Sequence, residues 1–86
     1  MNEIEITVVE ILENLGVENV DDFSAKLIED LGLDSLKMVT LLIEIEDAFG
    51  IELDESDMNP FDLVTVNDIV TLARKYVLED GGESNG

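Results

Sequence analysis

The sequence predicts an all-α protein, a small four-helix bundle of three longer helices and one short one. Three observations carry that expectation. Three segments repeat their apolar residues every three or four positions, which lays an apolar stripe along an α-helix. They are Ile4 to Leu15, Met38 to Phe49 and Val66 to Val77. Glycines follow the first two, at Gly16 and Gly50, where a left-handed residue ends a helix without steric cost. No stretch alternates apolar and polar residues convincingly enough to read as a strand. At 86 residues the chain makes one domain, near the small end for a self-sufficient core.

The first helix places Ile4, Val8, Ile11, Leu12 and Leu15 on one face. Glu3, Glu5, Glu10 and Glu13 fall mostly on the other, and the early acids suit the helix dipole. Residues 17–34 show no sustained period. Asp21-Asp22-Phe23-Ser24 reads as a turn with Phe23 as its apolar anchor, and Leu27, Ile28 and Leu31 suggest a short helical turn. A connection of this length with its own anchors is packed down, or is a functional loop that delivers the chain to the second helix.

Leu31-Gly32-Leu33-Asp34-Ser35-Leu36 is a glycine turn that opens this second helix, which runs to about Phe49. Ser35 falls at the helix N-terminus, on the surface. Read alone, Asp34-Ser35 is a capping pair with Ser35 at the N-cap, although Met38 stands where a full capping box has Glu or Gln. At 100° per residue, Met38, Leu41, Leu42, Ile45, Ala48 and Phe49 fall within an arc of roughly 120°, the core face. Leu36, Val39 and Ile43 fall on a separate arc, with Glu46 and Asp47 flanking it one turn further on. Either the helix buries both stripes against two neighbours, or the second is an exposed apolar stripe ringed by acids that docks another protein.

Asp54-Glu55-Ser56-Asp57 caps and starts the short helix, with Met58 as its apolar contact and Pro60 at its end. The four acids between 52 and 57 do not make a calcium loop, because the glycine and the closing glutamate are missing; no metal site is expected. Thr65-Val66-Asn67-Asp68 resembles a capping box with Asp in the last position. Val66, Ile69, Val70, Ala73, Tyr76 and Val77 continue the last helix. Residues 1–80 thus form one helical domain, and 81–86, Gly-Gly-Glu-Ser-Asn-Gly, a flexible tail.

From Leu31 to Leu53, the glycine turn, Asp34-Ser35-Leu36, the amphipathic helix with its late acidic pair, and Phe49-Gly50-Ile51-Glu52-Leu53 resemble the acyl carrier proteins. With the flanking helices the resemblance covers about residues 3–78. It implies the carrier-protein fold. It also implies that Ser35, between Asp34 and Leu36, accepts a 4'-phosphopantetheine arm from coenzyme A through a separate phosphopantetheinyl transferase with a divalent metal. The arm's thiol then holds acyl groups as thioesters for fatty-acid, polyketide or related biosynthetic enzymes. Those partners have basic docking patches and bind the second helix at Leu36, Val39, Ile43, Glu46 and Asp47. The carrier itself is no enzyme. Lys37 and Thr40 stand where acids are frequent in the fatty-acid type, which leaves the pathway open.

Composition bounds the rest. Asp and Glu number 22 against four Lys and Arg, for a net charge of −18. Nucleic acid and anionic membranes are repelled by such a surface. Histidine and cysteine are absent, so a serine nucleophile lacks the usual base, and disulfides are excluded. No apolar run reaches a membrane span of about 18 residues, and the acidic N-terminus lacks the basic flank of a signal peptide. A cytoplasmic monomer is the default expectation. The competing reading is an unmodified acidic helical module that binds a basic protein partner; such a module has no need of Ser35.

Overall fold

The computed structural model describes residues 2–18 and 20–85, with the backbone alone at 60 and 79–85. Helix α1 spans Glu3–Asn14, α2 Ser35–Phe49 and α3 Val66–Asn85. The described residues hold no strand, only an isolated antiparallel bridge between Lys26 and Thr65. The fold is therefore small and all-helical, as the apolar periods require.

The helix starts come from local chemistry. Asn2 and Glu5 form a capping box on α1, each backbone N–H donating to the other's side chain at 2.8 and 2.9 Å. The Asn-x-x-Glu pattern that makes it went unread in the sequence. The box foreseen at Thr65 and Asp68 forms at the start of α3: Asp68 N–H donates to Thr65 Oγ1 at 3.2 Å, and Thr65 N–H to Asp68 Oδ2 at 3.0 Å.

The three apolar stripes meet in one core. Val8, Ile11 and Leu12 of α1, Met38, Leu41, Leu42 and Ile45 of α2, and Val66, Ile69, Val70 and Ala73 of α3 are buried. Two positions depart from the angular reading. Ala48 is exposed rather than core; it sits at the margin of the roughly 120° arc, and its short side chain does not reach inward as Leu or Ile does. Leu72, unread as core, is buried.

The 17–34 connection is packed down. Leu27 is fully buried, and its N–H donates to the Val64 carbonyl at 2.8 Å. Val66 N–H donates to Ala25 and Asn67 N–H to Phe23, at 3.1 and 2.8 Å. The entry to α3 thus supplies the backbone partners that a buried loop needs, and the loop brings α2 to a defined start.

The short fourth helix is corrected to two 3-10 turns, Glu55–Asp57 and Pro60–Asp62. Asp54 caps the first, accepting from Ser56 N–H at 3.1 Å. One turn with the half-buried Met58 as its apolar contact gains too little to nucleate a longer helix. Pro60 opens the second turn instead of ending the first, since its fixed φ suits a first helical position. The backbone of 81–85 continues α3, where a flexible tail is expected; hydrogen bonding along a formed helix propagates without tertiary contact. Gly86, the end of that expected tail, lies outside the described residues.

Among the described residues no helix is long and apolar enough to cross a membrane. The described ion pairs, Lys26–Glu29 at 3.1 Å and Lys75–Asp57 at 3.4 Å, engage two of the 22 acids of a chain whose net charge is −18. Two acids about 6 Å apart repel by roughly 0.7 kcal/mol even in bulk water. Unfolding spreads these charges, so salt stabilises the folded chain by screening. The melting midpoint is expected to rise from low salt to moderate sodium chloride, and again with millimolar magnesium at matched ionic strength. A flat midpoint across the three would mean that the acids do not repel measurably.

Candidate functional site

The site is built where the packed loop turns into α2. Leu33, buried beneath the turn, donates its N–H to Leu27 at 3.0 Å. Gly32 just before it takes a left-handed φ of 77°, a region that disfavours any side chain. Asp34 is then the N-cap, in extended conformation, and its carboxylate accepts from Lys37 N–H at 2.8 Å. This overturns the reading of Ser35 as the cap. Ser35 is the first helical residue and is exposed. The physical reason is reach: the side chain that caps must leave the helical path, and the extended backbone at Asp34 does so one residue earlier.

The second stripe of α2 is not buried. Leu36, Val39 and Ile43 are 74%, 41% and 48% exposed, which removes the reading in which α2 buries both stripes. Asp47 beyond them is exposed too. Glu46 is not free in the same way: its carboxylate accepts from Leu53 N–H at 2.9 Å and ties the chain after Gly50 back onto α2. That contact joins residues seven apart across the helix end, and no period in the sequence announces it.

A second cluster fixes the 54–58 segment on α3. The Tyr76 hydroxyl donates to the Asp57 carboxylate and accepts from Asp54 N–H. Hydrogen bonding to Asp57, with partial burial, holds the phenol above the usual tyrosine range. Tyr76→Phe is expected to cost about 1–2 kcal/mol in chemical denaturation, the net worth of hydrogen bonds of this kind. Because the folded pKa is the raised one, that contribution is complete below about pH 10 and fades as the pH climbs through the folded value. The gap between wild type and variant should therefore narrow at alkaline pH; a gap unchanged there, or absent at neutral pH, would exclude the role. The helical period alone places Tyr76 in the core and says nothing of its hydroxyl.

Phe61, 76% exposed, was also missed. With Ile28, Leu63, Val64 and the Lys26–Glu29 pair it lines a shallow groove of about 170 Å³. Pro60 immediately before it, opening a 3-10 turn on the surface, is the signal that could have found it.

Comparison with known proteins agrees with the motif. The family model described as "Phosphopantetheine attachment site" matches residues 5–73. The acyl carrier protein of Desulforapulum autotrophicum is 38% identical over 68 residues, 79% of this chain and 84% of that one. That of Thermotoga maritima is 44% identical over 66 residues, 76% of this chain and 79% of that one. That of Campylobacter lari is 41% identical over 61 residues, covering 70% and 77%.

The residues at the start of α2 fit a phosphate-linked arm. First-turn N–H groups of a helix have no intrahelical acceptor and favour an anion. Asp34 takes only that of Lys37, and no acid stands in the first turn. Ser35 and Leu36 are exposed, so a long substituent meets no wall. Together the family match and the identities over most of the chain establish that it belongs to the acyl carrier proteins, carriers rather than enzymes, whose prosthetic group is a covalently attached 4'-phosphopantetheine.

Proposed function

We propose that Ser35 is the attachment serine. The observation that carries this is its release from capping: Asp34 satisfies the helix start, and the Ser35 hydroxyl stands exposed in the first turn. Asp34 fixes that turn, the adjacent N–H groups face the anion, and Leu36 offers apolar contact beside it. When bound, the arm supplies a terminal thiol that holds an acyl group as a thioester. The exposed Leu36, Val39 and Ile43, with Glu46 and Asp47 beyond, are the docking face for the transferase and for acyl-transfer and synthase enzymes. Those partners carry basic groups for the acidic end. The cargo class, fatty-acid or polyketide, is left to the partner enzymes.

The test is the intact mass of the protein after incubation with a phosphopantetheinyl transferase, magnesium and coenzyme A, followed by peptide mapping. One arm is expected, on the peptide containing Ser35. An unchanged mass where a control carrier is modified would favour the unmodified interaction module. We assign the carrier domain to residues 1–80, since no described core residue lies beyond Val77. A chain ending at Asp80 is expected to melt within a few degrees of the full chain and to be modified equally well; a large drop in the midpoint would make the tail part of the fold.

A further inference from the structure

The N-cap Asp34 accords with the helix dipole, but the charges within α2 itself run against it. A helix N-terminus favours anions and a C-terminus cations. The other helices start in keeping with that, with Glu3 and Glu5 in the first turn of α1 and Asp68 in the first turn of α3. In α2 the first turn holds Lys37 and no acid, and the last turn holds no base. Glu44, Glu46 and Asp47 all lie in its second half. Helix stability does not account for this order. Neither does ion pairing within the fold, since the described pairs join Lys26 to Glu29 and Lys75 to Asp57. Lys37 is exposed.

Between the charged ends the outer face is apolar. Leu36, Thr40, Ile43 and Asp47 succeed one another at spacings of four and three, which stacks them on one side of the helix. The Thr40 hydroxyl donates to the Leu36 carbonyl at 3.1 Å, so it is spent on its own backbone. Lys37 flanks this stripe at the Ser35 end, where the Asp34 carboxylate is engaged by Lys37 N–H, so from there onward the exposed side of α2 carries a cation beside apolar residues and then anions.

We infer that the partner enzymes of this carrier seat α2 in a groove that is apolar along its length, with a carboxylate opposite Lys37 and basic side chains only opposite Glu46 and Asp47. This rests on α2 being the docking helix and Ser35 the loaded residue, and it narrows which enzymes fit. Lys37 is a specificity-determining residue. A groove that is basic at both ends meets a like charge beside Ser35, and a like-charge contact disfavours the wrong partner.

The test measures kcat/KM for loading of Ser35 by a phosphopantetheinyl transferase whose docking groove is basic throughout, at low and high salt. Wild type, Lys37→Glu and Asp47→Lys are compared. Lys37→Glu is expected to raise kcat/KM about tenfold at low salt, mainly through KM, and the gain is expected to vanish at high salt, because rim charges act through screened encounter. Asp47→Lys is expected to lower it under the same conditions. The melt of Lys37→Glu should stay within a few degrees of wild type, since the gain from the dipole offsets the added repulsion on an acidic surface. A Lys37→Glu variant that is loaded no faster at low salt would overturn the inference. So would a wild-type dimer that Lys37→Glu dissociates, because the face would then pair with a second copy. Failure to load any variant would overturn the Ser35 reading and this inference with it.

Discussion

Ser35→Ala is expected to fold as the wild type does and to accept no arm at all. The two halves of that result come from different parts of the structure. Loss of modification is complete because the hydroxyl is the atom that bonds to phosphorus, and alanine has none. The unchanged fold comes from the cap geometry. If Ser35 were the N-cap, its removal would cost about 0.5–2 kcal/mol. The cap is Asp34, whose carboxylate holds Lys37 N–H, so that cost belongs to Asp34→Ala instead. Ser35 is exposed and in the helical path, and alanine is the best helix former there. Intact mass and urea denaturation of the two variants separate the roles. A Ser35→Ala variant that still gains the mass of one arm would move the attachment elsewhere. One that unfolds early would return Ser35 to the cap.

The second large effect lies two residues apart on one helix. Ile45→Ala is expected to destabilise by about 2–5 kcal/mol, the range for truncating a buried aliphatic side chain. Ile45 is fully buried, and a domain of this class has only about 5–15 kcal/mol in total. Ile43→Ala should change stability by no more than about 0.5 kcal/mol, as exposed substitutions do, because its side chain is about half exposed. It should instead weaken turnover by a partner enzyme. Chemical denaturation gives the first comparison and partner kinetics the second. Comparable losses of stability at both positions would mean that Ile43 is core and that α2 has no free apolar face.

The sequence by itself determined the three helices, most of the core and the start of α3. Those depend on short-range geometry: a residue three or four positions away lies on the same face whatever the rest of the chain does. Met38, Leu41, Leu42 and Ile45 are therefore readable by angle, as is the Thr65–Asp68 box. The Asp34-Ser35-Leu36 motif was legible too, and with it the family.

Only the tertiary structure decided which groups find partners far along the chain. Periodicity split α2 into two stripes but left open whether the second was covered; in the closed fold Leu36, Val39 and Ile43 are exposed, which settled it. Ala48, assigned to the core by angle, is exposed. In the loop before α2, short local turns such as Asp30 N–H to Lys26 and Gly32 N–H to Ile28 carry many of the hydrogen bonds. What holds Phe23, Ala25 and Leu27 in place is pairing with Asn67, Val66 and Val64 some forty residues on, which no period announces. The Glu46 carboxylate is held by Leu53 N–H, and Asp54 and Asp57 by Tyr76 from 22 and 19 residues away. A side chain's period names the face it is on. Whether that face meets backbone, another helix or water depends on how the whole chain closes.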